Sequence, residues 1–183
     1  RLPKERMEQD CAAFGRCGGC VWRHVAYQKE LAYKWQQVAD ALRRIGGLDI
    51  VPQPIVACDS PDRYRNKAQY PVVQGEHRIL AGFYAPRSHR VIEERDCRLQ
   101  PACFKAVLEC VVRWAKKAGV SAYDEKTGRG LLRHIYIRRA EATGEVMVCL
   151  VCTSGKLPQS RLLVELLRKE VPGLVSVVIN LQK

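Results

Sequence analysis

No stretch of the 183 residues stays apolar for the roughly 20 positions that a membrane-spanning helix needs, which excludes a helical span. No basic segment followed by an apolar core stands at the start, so the sequence reads as having no secretory leader. There is no internal repeat and no low-complexity tract, which excludes solenoid and fibrous architectures. Acidic side chains are scarce: 19 Asp+Glu stand against 31 Lys+Arg, for a net charge of +12. That imbalance argues against an acidic electron carrier and favours a polyanionic partner, most simply nucleic acid. Arginine dominates the excess, and its planar fork suits phosphate.

The remaining composition is that of a globular domain, with 47% hydrophobic and 27% charged residues. Nine cysteines is an odd number and their spacing is uneven, unlike a secreted disulfide scaffold. Metal ligation by some of them, quiet burial of the others and a cytoplasmic location are expected. The chain begins at Arg1 without a methionine and ends in Val-Ile-Asn-Leu-Gln-Lys as a strand finishes. Both ends read as cut, so a piece of a longer protein is expected.

Three cysteines lie within ten residues, in Cys11-Ala-Ala-Phe-Gly-Arg-Cys17-Gly-Gly-Cys20. Gly18 and Gly19 are expected to take positive φ and turn both flanking sulfurs inward. Beyond this loop, Tyr27, Leu31, Trp35, Val38, Leu42 and Ile45 recur at helical spacing, and Gly46-Gly47 ends the pattern. The helix they predict should pack on the core and anchor the cysteine loop. Residues 48–62, with three prolines, form a connection. Tyr64 to Val73 alternates, with Tyr64, Ala68, Tyr70 and Val72 on a packed face and Arg65, Lys67 and Gln69 on a basic one. Turns at Gln74-Gly75-Glu76 and Pro86-Arg87-Ser88 lead to strands near 78–84 and 89–93, an antiparallel meander.

Pro101 opens a second helix, stopped at Gly119. Leu131–Arg139 and Val146–Cys152 make a hairpin, and the unbroken apolar run of its second strand predicts cover on both faces. A helix after Pro158 and a strand over 174–181 complete the chain. The expected fold is α+β: a largely antiparallel mixed sheet flanked by helices, with a cysteine-rich loop over residues 1–24 and the main domain over 25–183.

Tetrahedral zinc and iron–sulfur clusters call for a fourth sulfur. Cys149 and Cys152 stand three apart on a strand and face opposite sides, so they cannot chelate together. Cys58 lies in the proline-rich connection and Cys110 on the second helix. Cys97, in a polar loop between strand and helix, is the preferred fourth ligand, with Cys103 as the fallback. A structural zinc site would have two Cys-x-x-Cys knuckles, whereas a [4Fe–4S] cluster accepts three close cysteines and a remote one. Zinc, an iron–sulfur cluster and unrelated buried cysteines are the competing readings.

The spacing Cys11-x5-Cys17-Gly-Gly-Cys20, followed by His24, Tyr27, Gln28 and a helix with Lys34, resembles the iron–sulfur segment of the RNA (uracil-5-)-methyltransferases, which make 5-methyluridine in 23S ribosomal RNA and transfer RNA. The likeness continues in Tyr64-Arg65-Asn66-Lys67, in Gly82-Phe83-Tyr84 with Ser88-His89, and in Cys97. It implies a [4Fe–4S] cluster on Cys11, Cys17, Cys20 and Cys97. It also implies a central domain between an N-terminal OB-like domain and a C-terminal Rossmann-like domain that holds S-adenosylmethionine.

That chemistry needs a thiolate to add at carbon 6 of uracil and a base to remove the carbon-5 proton. The family's Ser-Cys-Asn-Pro-like nucleophile motif does not occur here, and no Gly-x-Gly follows a strand as its cofactor loop does. No catalytic residue is therefore assigned, and the 183 residues alone should be inactive. Arg65 and Lys67 on the strand, with Arg133, Arg138 and Arg139 on the hairpin, are candidates for RNA phosphates, and Tyr64 or His89 for stacking on an unpaired base. The expected partner is RNA, ribosomal before transfer, bound by a monomer with no membrane contact. The alternative is a freestanding iron–sulfur or zinc module that binds nucleic acid. The cluster's expected role is structural, closing a loop of roughly 77 residues between Cys20 and Cys97.

Overall fold

A computed structural model describes residues 7, 8 and 10–182. Nine elements follow one another: α1 (Tyr27–Arg44), β1 (Lys67–Gln74), β2 (Ile79–Tyr84), β3 (Val91–Glu93), α2 (Cys103–Ala118), β4 (Leu132–Arg139), β5 (Val146–Cys152), α3 (Ser160–Glu170) and β6 (Leu174–Leu181). The strands form one sheet in the order β3-β2-β1-β4-β5-β6. Every neighbouring pair is antiparallel except β5 and β6. A parallel pair cannot be joined by a tight turn, and α3 supplies the crossover. The fold is the α+β arrangement that the pattern of strands and helices predicts.

The core follows from strand parity. Ala68, Tyr70 and Val72 of β1, Ile135 and Ile137 of β4, and Val146, Val148, Leu150 and Cys152 of β5 are buried with Phe104, Leu108, Val111 and Trp114 of α2 and Leu163 and Leu167 of α3. Trp114 is large and polar at one end. Its indole N–H reaches the Pro158 carbonyl at 3.0 Å, so the ring is buried without an unpaired donor.

Four expectations need correction. The first strand begins at Lys67, leaving Tyr64 outside the packed face and 56% exposed. The third begins at Val91, so His89 belongs to the turn before it. On β5 buried and half-buried positions alternate, because the helices cover one face of the sheet and not both. Finally, α1 is a helix of the expected length, but none of its residues is buried. Its contacts are with the segments that flank it in sequence: Trp35 donates to the Pro52 carbonyl (3.3 Å), the Tyr27 hydroxyl accepts from the Cys58 amide (2.8 Å), and Tyr33 stacks on Trp22. Val38 and Ile45 remain open to solvent, since no described element lies over that face.

Gly82 shows how tightly the meander is drawn. A Cβ there would stand 1.9 Å from the Ile92 carbonyl oxygen, on the strand to which Gly82 is paired. Gly82→Ala should therefore separate β2 from β3 and lower stability by about 1–3 kcal/mol. The urea midpoint checks this.

Candidate functional site

The cysteine loop has no regular secondary structure, and its shape comes from local hydrogen bonds. Ala13 is buried, and its carbonyl accepts from the amides of Arg16 and Cys17. Ala13 packs with Ala85 and Ile92 in a small core of its own, which seats the loop on the β2–β3 end of the sheet. Of the two glycines between Cys17 and Cys20, Gly18 alone takes positive φ (67°). A Cβ on Gly18 would come within 2.5 Å of Pro86, so the absence of a side chain there lets the loop lie against the β2–β3 turn.

A second segment arrives from between β3 and α2. Arg63 takes φ 58°, an uncommon conformation for a residue with a side chain. From it, Arg63 donates to the carbonyls of Cys97 (2.9 Å) and Gln100 (3.0 Å) and pairs with Asp96 (2.9 Å). The backbone amides of Arg63 and Arg65 donate to the carbonyls of Arg98 and Leu99. The stretch before β1 and the turn after Cys97 thus form one unit.

Cys11, Cys17, Cys20 and Cys97 all line a single cavity of about 40 Å³, with Phe14, Arg23, Arg65, Glu94, Arg98 and Gln100 among its other walls. Burial raises the thiol pKa of Cys97, Cys20 and Cys11. At Cys11 the Glu94 carboxylate, 3.8 Å from the sulfur, adds to the rise; at Cys20 Arg23 and Arg65 oppose it. Cys103 instead packs against the main core, and Cys110 lies beside Arg113 and Glu170, so neither joins the four.

Four charged side chains hold these segments together. Arg23 pairs with Asp10 (2.6 Å) and Asp62 (2.8 Å), and Arg98 pairs with the same two carboxylates at 3.4 Å. Asp10 directly precedes Cys11, Arg23 lies three residues after Cys20, and Arg98 directly follows Cys97. Hydrogen bonds from Arg23 hold the Asp10 carboxyl below the usual carboxylate range. None of the four was singled out from the sequence. The signal was there, in charged residues of opposite sign immediately flanking two of the candidate ligands.

The donor set is four thiols, and what it can hold depends on spacing. Tetrahedral zinc needs every sulfur about 2.3 Å from one point. Among the described residues no three His, Cys, Asp or Glu side chains are gathered closely enough to hold a metal ion. A cubane asks less, because each cysteine binds its own iron and the sulfurs stand farther apart. The cavity has room for two or three waters, so a cubane would require the thiols to turn outward. One buried polar atom of the cavity walls, Gln100 Oε1, makes no hydrogen bond, whereas Arg98 Nε is the atom that faces Asp10. What in the walls suits thiolates is the charge of Arg23 and Arg65 beside Cys20; the Glu94 carboxylate beside Cys11 opposes them.

The candidate RNA contacts do not form one patch. Lys67 and Arg138 are direct partners across β1 and β4; both are exposed, and neither has a carboxylate partner among the described residues. Arg65 lines the cysteine cavity. Arg139 pairs with Glu141 (2.9 Å). Arg133 is largely buried over the Tyr123 ring and within 3.7 Å of Glu125. Tyr64 is exposed ahead of β1, and His89 lies exposed in the β2–β3 turn.

No family model matches the chain. A relative from Clostridium tetani named "Uncharacterized RNA methyltransferase" is 39% identical over 176 residues, covering 96% of this chain and 38% of the relative. One from Halalkalibacterium halodurans, with the same description, is 41% identical over 177 residues, covering 96% and 39%. The chain is similar to one part of proteins named RNA methyltransferases. It spans about two fifths of the length of these curated relatives. The crystal structure of Pyrococcus abyssi tRNA (uracil-54, C5)-methyltransferase, solved with S-adenosyl-L-homocysteine, superposes with a TM-score of 0.65. That match covers 89% of this chain and 36% of the solved one at 21% identity, a likeness of fold. No helix among the described residues is long and apolar enough to cross a membrane.

Arg23→Ala would leave Arg98 alone to hold Asp10 and Asp62, and so loosen the Cys11–Cys20 loop. Asp10 is about half exposed, so the loss should be about 1 kcal/mol, or roughly fivefold faster thiol labelling of Cys11 and Cys20. Peptide mass mapping of alkylated protein measures it, with Cys110 as the unaffected control.

Proposed function

We propose that this chain is the RNA-engaging part of an S-adenosylmethionine-dependent RNA methyltransferase that forms 5-methyluridine in ribosomal or transfer RNA. On this reading Cys11, Cys17, Cys20 and Cys97 ligate a [4Fe–4S] cluster. The observation that carries the reading is the convergence of four thiols, from segments far apart in sequence, on one cavity of an arginine-rich domain. The relatives' shared name and the superposition on a transfer RNA methyltransferase support it from outside the chain.

The division of labour follows from the residues present. Methyl transfer to carbon 5 of uracil requires a nucleophilic thiolate, a base and a bound methyl donor. The sequence holds no nucleophile or cofactor motif of that kind, so those groups belong to the part of such proteins that the match leaves uncovered. Bound by Cys11, Cys17, Cys20 and Cys97, a cluster would cross-link the loop to the Cys97 turn; the transfer itself has no electron step for it to serve.

This chain's own residues bind and position RNA. Lys67 and Arg138, placed opposite each other across two strands, repel in the free protein. A phosphate between them relieves that repulsion and draws both charges into contact. Arg65 lies two residues before Lys67 and so shares its strand parity, with Tyr64 exposed next to it in sequence; Arg139 is paired with Glu141 and is not part of this surface.

Anaerobically purified protein should be brown, with absorbance near about 400 nm. Cys97→Ser should abolish that band and Cys149→Ser should keep it; a colourless protein with zinc on four thiolates would refute the cluster. RNA affinity should fall steeply with salt, and Lys67→Ala with Arg138→Ala should reduce the log–log slope by about 1–2. Filter binding across a salt series reads this, and a slope unchanged in the double variant would remove these two residues from the interface.

A further inference from the structure

Beside the cysteine cavity, and separated from it by the cysteine loop, is an open cleft of about 570 Å³. One wall is Cys17 and Gly18; the floor and other wall are Tyr84, Ala85, Pro86, Arg87, Ser88 and His89. We propose that this cleft is a nucleobase subsite for an unpaired residue of the bound RNA, and that the cysteine loop forms one of its walls. The proposal rests on the RNA-binding reading above and adds to it a place and a chemistry.

The first support is a ready stacking platform. Tyr84 and His89 lie ring on ring, with centroids 5.3 Å apart and an interplanar angle of 26°. The His89 side chain is 82% exposed, so one face of the stacked pair is open to a third ring. Unpaired bases are commonly held by such stacking.

The second support is rigidity. The Ala85 amide donates to the Arg90 carbonyl, and the Ser88 amide and hydroxyl both donate to the Ala85 carbonyl. Arg90 N–H reaches the Ser88 oxygen at 3.3 Å. With the turn held in this way, Arg87 takes φ 54° and stands exposed at the cleft. A side chain held in that uncommon conformation at the rim of a cleft points to a use for its position, and a guanidinium there suits the phosphate attached to a stacked base.

The third support is polar capacity for the base edge. The Gly18 amide makes no hydrogen bond among the described residues. The Glu125 carboxylate lies 3.6 Å from His89 Nδ1 and 3.7 Å from the Arg133 guanidinium. Glu125 does not line the cleft, so the Gly18 amide is the group that can donate to an acceptor on the base edge.

The construction links the two sites. Gly18 fits against Pro86 only because it lacks a Cβ, and Cys17 lines both the cleft and the cysteine cavity. Whatever fixes the thiols therefore fixes one wall of the base subsite. This gives the cysteine loop a role in recognition and not in methyl transfer.

The test uses the anaerobically purified protein and a short single-stranded RNA carrying a fluorescent adenine analogue whose emission is quenched on stacking. Binding should quench the analogue, and an abasic RNA of the same length should bind about tenfold more weakly. His89→Ala, a change at an exposed turn position, should lose the quenching and weaken binding by a similar factor while absorbance near about 400 nm is unchanged. Gly18→Ala should reduce quenching while the salt dependence of binding persists. Wild-type quenching in His89→Ala, or equal affinity for abasic RNA, overturns the subsite and leaves the RNA-binding reading standing. Failure to bind any RNA overturns both.

Discussion

Two arginines and two aspartates, arranged so that each arginine meets both carboxylates, decide how the N-terminal third of this chain sits on the rest. Arg23 and Arg98 belong to segments more than seventy residues apart, and Asp10 and Asp62 bridge them. Each charge on its own is a partly solvated ion pair of modest worth. Their value lies in where they stand, beside the cysteines at the two ends of one cavity. The thiols are brought together by protein contacts, and Arg63 adds a second set through the carbonyls of Cys97 and Gln100.

This arrangement separates two tasks that a single loop would otherwise combine. The inner side of the Cys11–Cys20 loop faces a cavity of sulfurs, and its outer side faces a cleft built on Tyr84 and His89. Small residues make the double duty possible. Gly18 closes onto Pro86, and Ala13 fills the shallow space between Ala85 and Ile92. The main core, through Tyr70, Ile135, Leu150 and Trp114, meets this region at Phe83, which packs on Tyr70 with ring centroids 4.9 Å apart and also lines the cysteine cavity.

Much of this was legible in the residues. Alternation gave the buried set Ala68, Tyr70 and Val72, and helical spacing gave α1 and α2 within a residue or two, because each pattern is imposed by a period that the backbone enforces. Cys97 could be singled out because a loop cysteine in polar company can reach a loop site. What could not be read were the contacts between segments with no period of their own. Nothing in the spacing around Arg133 announced that its guanidinium lies over the Tyr123 ring and beside Glu125. The apolar stripe of α1 looked like a core face, since periodicity reports amphipathicity and not what covers it.

The order of the segments along the chain also sets an order of assembly. All four cavity cysteines, the ion-paired square and the β1–β3 meander precede Cys103, where α2 begins. The main core cannot close until much later, because β1 must wait for β4 before its second edge is paired and Tyr70 must wait for α2 before it is covered. A chain emerging from its N-terminus would thus gather its thiols while most of its apolar surface was still open to water. For that interval the sulfurs would be near one another but not yet enclosed, open to an oxidant and, on the proposed cluster reading, to the iron that they would ligate.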